Sequence, residues 1–323
     1  MGRRDYPVVK VALLFPGQGS QAVGMGAGAA ARWPSAAARF AEAAGILGYD
    51  LLARCAAGPE EALADTAVAQ PALYVAGYAA WEVLAAAGVR PAFAAGHSLG
   101  EYTACAAAGV FSFADGLRAV KARGEAMRDA GAQQPGGMLA VIGAAAEAVD
   151  GWVAAASAAG VVVVANRNAP DQVIVSGVPA ALDAVDAAAT TAGARVIRLK
   201  VSGAFHSPLM GEAAERMKGV LAGLALAEPA WPVVGNVAGL PLASARLVRE
   251  ELEVQLLSAV RWDACVRTLA GNGVTLAVEC GPGRVLAGLV RKIDRTVRVL
   301  ATGTAQDIED TLVALREVTH AAA

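Results

Sequence analysis

The chain has 323 residues, and at about 150 residues per domain that length gives roughly two folding units. With 27 Lys and Arg against 29 Asp and Glu, the net charge is −2, which excludes the basic excess of a typical nucleic-acid binder. A content of 56% hydrophobic and 17% charged residues supports a buried core and argues against disorder, although much of the apolar count is Ala and Val. The longest uncharged run, from Val11 to Ala31, is broken by Phe15-Pro16-Gly17-Gln18-Gly19-Ser20-Gln21, a polar turn that a membrane helix would not carry in mid-span. Met1-Gly2-Arg3-Arg4 leads into no apolar signal segment, and Tyr6 stands where myristoylation needs Ser or Thr, so a cytoplasmic protein is expected. Cys55, Cys105, Cys265 and Cys280 form no CxxC pair and have no histidine at ligand spacing; they read as buried thiols.

In chain order, Val8 to Phe15 predicts a buried strand ending in a Pro-Gly loop. An Ala-rich helical region follows over about 22–90, with Gln70-Pro71 marking a helix start because proline suits the first turn. Ala92 to Gly96 predicts a second strand, Ser98 a sharp turn, and Leu99 to Ala108 a helix closed by Gly109. Ser112 can cap the next helix, which carries Phe113, Leu117, Val120, Gly124 and Met127 on one face. Lys121 and Arg123 border that stripe on opposite sides, and position alone does not choose between them.

From about Gln133 to Val201 the pattern becomes strand Met138–Ile142, helix Ala146–Ala159, strand Val161–Ala165, a turn at Asn168-Ala169-Pro170-Asp171, strand Gln172–Ser176, helix Pro179–Ala192 and strand Arg195–Val201. This β-α-β-β-α-β order predicts a ferredoxin-like unit over 133–201, inserted into a larger α/β body formed by 1–132 and 202–323. Strand-helix alternation resumes at Val233-Val234 and Val274–Val278.

Gly96-His97-Ser98-Leu99-Gly100 matches the G-x-S-x-G nucleophile elbow, with the strand before it and the helix after it that this geometry needs. A glycine-flanked serine acting only as a helix cap is the bland alternative. A serine nucleophile needs a base, and the chain holds three histidines. His97 adjoins the serine and would point elsewhere, while His320 lies in an Ala-rich tail. His206 remains, in the Gly- and Pro-punctuated Ser202-Gly203-Ala204-Phe205-His206-Ser207-Pro208; its orienting partner is not readable from these residues. In the elbow geometry one oxyanion donor is the Leu99 backbone N–H, and the loop from Phe15 to Gln21 could supply the other, unless it is an ordinary glycine turn.

Phe15–Gln21 (FPGQGSQ), Gln70-Pro71-Ala72, Gly96–Tyr102 (GHSLGEY), Arg123, Gly203–His206 (GAFH), Gln255 and Gly281-Pro282-Gly283 together resemble the malonyl-CoA:acyl carrier protein transacylase family, which includes the acyltransferase domains of polyketide synthases. The match runs in order from about residue 8 to 300. The resemblance implies an α/β-hydrolase-like subdomain with an inserted ferredoxin-like subdomain and a site in the cleft between them. It implies Ser98 as nucleophile, His206 as general base oriented by the backbone carbonyl of Gln255, and Gln18 and Leu99 as oxyanion donors through their N–H groups. Arg123, 25 residues beyond the serine, matches the arginine that holds the malonyl carboxylate. Phe205 and Met127 complete the implied substrate-binding set, with Phe205 placed to crowd an α-methyl group.

The implied reaction is ping-pong transfer of malonyl from malonyl-CoA to the phosphopantetheine thiol of acyl carrier protein, for fatty-acid or polyketide synthesis, with no metal or redox cofactor. A monomer with no membrane or nucleic-acid partner is expected. Carrier proteins are acidic, so Lys and Arg are expected near the cleft, with Arg167 and Arg284 as the candidates. The alternatives are an acyl-thioester hydrolase on the same scaffold, a transferase for another carboxyacyl unit such as methylmalonyl, and a non-catalytic carrier-binding module.

Overall fold

The computed structural model describes residues 9–321, with side chains through Val318. The N-terminal segment bearing Met1–Arg4, Tyr6 and Val8 lies outside them. Among the described residues, ten strands form two sheets: β1 Lys10–Phe15, β2 Phe93–Gly96, β3 Gly137–Ile142, β4 Val162–Ala169, β5 Gln172–Gly177, β6 Arg195–Arg198, β7 Val233–Val234, β8 Pro241–Leu242, β9 Val274–Glu279 and β10 Arg298–Ala301. The larger sheet runs β10-β9-β1-β2-β7-β8 and is parallel except for β8 at its edge. Along β1, Leu13 and Phe15 pack into one apolar cluster and Ala12 and Leu14 into another. Both faces are therefore covered, which is why β1 reads as an unbroken apolar run.

The second sheet has order β4-β5-β3-β6 and is antiparallel throughout. Its side chains alternate. Leu139, Val141, Val173 and Val175 pack under the helices Ala146–Ala156 and Pro179–Thr191, while Met138, Ala140 and Ile174 line a cleft on the other face. The outer edge of β4 is tied to the chain after Ser258, because the Val260 N–H donates to Ala165 O at 2.8 Å and the Arg167 N–H to Val260 O at 2.9 Å. On its other side β4 pairs with β5 as far as Ala169 opposite Gln172, which confines the turn expected over 168–171 to Pro170-Asp171. β6 stops at Arg198 instead of reaching Val201; there the Val201 N–H turns back onto Leu199 O.

The helix expected to begin at Gln70-Pro71 spans Thr66–Ala86. Asp65 starts it, its carboxylate accepting the Ala67 N–H at 2.9 Å. Pro71 thus sits inside the helix, where its missing N–H removes one intrahelical bond, a defect costing about 3 kcal/mol that burial of most of the helix offsets. The remaining Ala-rich region is broken into short helices, Ala27–Arg32, Pro34–Leu47, Leu51–Ala57 and Glu60–Ala64. Among the described residues no helix is long and apolar enough to cross a membrane.

Candidate active site

Ser98 stands between β2 and the helix Leu99–Ala107 with φ 52°, a left-handed conformation that a residue with a side chain adopts only under constraint. The constraint is visible on both sides. A Cβ on Gly96 would lie 1.9 Å from the carbonyl carbon of Gly100, and a Cβ on Gly100 would lie 2.0 Å from Phe15 O, so only glycine lets the helix start against the strand ends. Asn236, fully buried two residues beyond β7, clamps the turn: its Nδ2–H donates to Gly96 O and its Oδ1 accepts the Ser98 N–H, both at 2.7 Å. The sequence reading missed Asn236, whose only signal is a polar residue after the glycine that ends a short buried strand.

His206, itself at φ 55°, places Nε2 2.8 Å from Ser98 Oγ. Its Nδ1 lies 3.1 Å from two backbone carbonyls, Gln255 O and Ser258 O. Carbonyls only accept, so Nδ1 carries the proton. Burial, reinforced by the Arg123 charge, pushes the imidazole pKa down to about 3, so the ring is neutral and Nε2 offers a lone pair to the Ser98 hydroxyl. The Ser258 carbonyl was not anticipated. His97 points away from Ser98 as expected, bonded through Nε2 to Asn168 Oδ1 at 2.8 Å and tilted against Trp262.

The helix Phe113–Gln133 buries Arg123 to 1% exposure and leaves Lys121 half-buried, which settles the choice the helix pattern left open. One Arg123 nitrogen donates to Gln70 Oε1 at 2.8 Å; the other donates to Ser98 Oγ and Gln255 Oε1, each at 3.0 Å. The Tyr102 ring lies beneath the guanidinium. Every acceptor is neutral, the Tyr102 phenol among them, and among the described residues no carboxylate pairs with Arg123. A buried cation without a counter-charge is costly, and here it faces a cleft from which an anion can enter.

That cleft, about 420 Å³, lies between the two sheets. Gln18, Leu99, Met127, Phe205 and His206 line it from one side, and Asn166, Asn168 and Gln172 join the apolar residues of the small sheet on the other. The extension of β4 is what brings Asn166 and Asn168 there; the sequence reading placed Asn168 in a turn. The backbone N–H groups of Gln18 and Leu99 have no acceptor among the described residues, as oxyanion donors require. The Gln18 side chain is held by Thr66 Oγ1 at 3.0 Å, which in turn meets Ser202 Oγ at 3.2 Å. Arg167 and Arg284 are each paired with an acid, Asp150 and Asp307.

A family profile described as an acyl transferase domain matches residues 12–317. The class is therefore an acyltransferase. The chain is 39% identical over 310 residues to the malonyl CoA-acyl carrier protein transacylase of Bacillus subtilis, a match covering 95% of this chain and 98% of that protein. The solved structure of the corresponding Coxiella burnetii transacylase matches with a TM-score of 0.92 at 36% identity, over 97% of this chain and 98% of the other. A malonyl-transacylase solved in complex with its type II PKS acyl-carrier protein matches with a TM-score of 0.91 at 39% identity, over 94% of this chain and 99% of the other. The chain belongs to the malonyl-CoA:acyl carrier protein transacylase family.

Proposed function

We propose that the protein moves a malonyl group from malonyl-CoA to the phosphopantetheine thiol of acyl carrier protein, in fatty-acid or polyketide synthesis, through an acyl-enzyme on Ser98. The observation that carries this reading is the uncompensated Arg123 guanidinium, which lies 3.0 Å from Ser98 Oγ. A thioester held at the serine with a free carboxylate at its far end supplies the missing negative charge, whereas an acetyl group does not.

The Ser98 hydroxyl gives its proton to His206 Nε2 as Oγ attacks the thioester carbonyl. The developing oxyanion takes hydrogen bonds from the N–H groups of Gln18 and Leu99. Collapse breaks the C–S bond, and the proton on Nε2 passes to the departing CoA sulfur. The carrier's thiol then gives its proton to Nε2 and attacks the malonyl ester; Ser98 leaves as alkoxide and recovers that proton. Nδ1–H stays bonded to the Gln255 and Ser258 carbonyls throughout, which holds one tautomer. Phe205 and Met127 wall the acyl pocket. The chemistry needs only these side chains and the substrates.

We read the strand order of the small sheet as a ferredoxin-like subdomain over 133–201, inserted in an α/β-hydrolase-like body of 1–132 and 202–323 that acts as a monomer. Intact-mass measurement tests the activity. Malonyl-CoA should add one malonyl group to the protein, acyl carrier protein should remove it and gain the same mass, and Ser98→Ala should take up none. Release of free malonate before the carrier is added would establish hydrolysis instead, and absence of any adduct would establish a binding module.

A further inference from the structure

Behind the nucleophile lies a second buried pair that the reaction does not use. Ser98 and Glu101 are three residues apart at the start of one helix; Glu251 and Gln255 are four apart across the end of the helix Ala245–Val254. Each spacing puts its two residues on a common face, and the two faces meet. Gln255 Nε2 donates to Ser98 O at 3.0 Å and to Glu101 Oε2 at 2.6 Å, while its Oε1 accepts from Arg123 at 3.0 Å. Both N–H groups and the oxygen of this amide are engaged. Reversing it would break every one of those bonds, so the Glu101 carboxyl fixes which end of Gln255 faces Arg123.

The other Glu101 oxygen, Oε1, is fully buried with no hydrogen-bond partner of good geometry, and the Asn236 backbone N–H is the remaining donor at this carboxyl. The Glu251 carboxyl hydrogen-bonds to the Glu101 carboxyl, and Glu251 Oε1 accepts the Val237 N–H at 2.6 Å. The backbone presses on this site: a Cβ at Gly235 would lie 2.8 Å from the Glu251 carboxyl carbon. Two carboxyl groups hydrogen-bond only through a shared proton. The Asn236 N–H serves both carboxyls, but Glu251 also holds the Val237 N–H and is 8% exposed, which suits the anion, whereas Glu101 is 0% exposed and suits the O–H.

We propose that Glu101 is a positioning residue held as the neutral acid by the Glu251 carboxylate, so that it orients Gln255 and leaves the Arg123 charge unneutralised for the carboxylate of the substrate. This rests on the assignment of Arg123 as the carboxylate anchor. Burial first, and then the Glu251 charge, raise the Glu101 carboxyl well above the usual carboxylate range. The other ionisable groups around it are Arg123 on the helix Phe113–Gln133, Tyr102 and Cys105 on its own helix, and Cys265 on the helix Trp262–Gly271. Burial likewise raises both thiols and the phenol, which favours their neutral forms beside Glu101.

If Glu101 lost its proton, a second anion would sit one amide away from Arg123 and compete with substrate for it. The KM for malonyl-CoA loading should therefore rise with pH through the ionisation of Glu101, while the slow loading of acetyl-CoA should not follow. Glu101→Gln reproduces the donor and acceptor of the neutral acid. It should stay within about threefold of the unsubstituted enzyme near neutral pH and abolish the alkaline rise in KM. Glu251→Gln removes the neighbouring anion and should move that rise to lower pH. Infrared difference spectra between the unsubstituted protein and Glu101→Gln should show a protonated carboxyl band near neutral pH. Loss of that band, a Glu101→Gln enzyme slowed by more than about tenfold, or one that fails to fold would overturn the proposal, since each means an ionised Glu101 is required. A malonyl preference that survives Arg123→Ala would overturn the anchor assignment itself and leave the infrared result standing.

Discussion

The two walls of the cleft are built in opposite ways. On the elbow side, glycines at 17, 96 and 100 allow backbone to touch backbone, Ser98 and His206 are both held at positive φ, and Asn236, Gln255 and Arg123 tie the turn to three separate helices and loops. The small sheet contributes ordinary alternating strands whose cleft face carries Met138, Ala140 and Ile174 beside Asn166 and Asn168. Strain and hydrogen bonds concentrate where atoms must react, and the facing wall needs only the right shape. Substitutions on the elbow side should therefore abolish chemistry, and those lining the acyl pocket should change which acyl group is accepted.

The sharpest way to break this contrast is Gly100→Ala. Its methyl group would meet Phe15 O, displacing the helix start and the Leu99 N–H, and malonyl loading should fall by at least about 100-fold. A rate close to that of the unsubstituted enzyme in a stopped-flow loading assay would show that the elbow is not tight. Asn236→Ala comes next. It orphans the Ser98 N–H and Gly96 O, and should lower stability by about 2 kcal/mol in denaturant titration and loading by roughly tenfold. An unchanged unfolding midpoint would remove Asn236 from the account.

Phe205→Ala enlarges the acyl pocket. It should improve methylmalonyl over malonyl by about fivefold in competitive loading, in keeping with about 1 kcal/mol for a methylene-sized change. Unaltered selectivity would place the discrimination elsewhere. The smallest expected signal is in the acid range. Because the His206 pKa is pushed from 6.5 to about 3, the native protein binds fewer protons than the unfolded chain between those values. Its contribution to stability is complete above 6.5 and is lost as pH falls toward 3. The kcat/KM for loading should show no inflection near 6.5; one there would mean that His206 is not desolvated.

The sequence made the elbow legible because its geometry demands glycine at fixed spacing around one serine, and His206 because the chain has so few histidines. The strand and helix order of the small sheet was legible from alternating apolar residues. What escaped was set by contacts distant in sequence. Asn236 meets Ser98 across 138 positions, and Ser258 contributes a backbone carbonyl that no side chain announces. Gln255 came only from resemblance for the same reason, since what meets His206 Nδ1 is its backbone carbonyl. Pro71 misled because the start preference of proline lost to the Asp65 cap, and Asn168-Ala169-Pro170-Asp171 misled because antiparallel pairing of β4 with β5 outweighed local turn preference.

The most direct test of the account is the ratio of malonyl to acetyl loading in Arg123→Ala. If the guanidinium anchors the carboxylate, malonyl loading should drop by at least about 100-fold while acetyl loading changes little, so the ratio collapses. Equal losses for both acyl groups would contradict it, because Arg123 would then serve Ser98 and Gln255 alone.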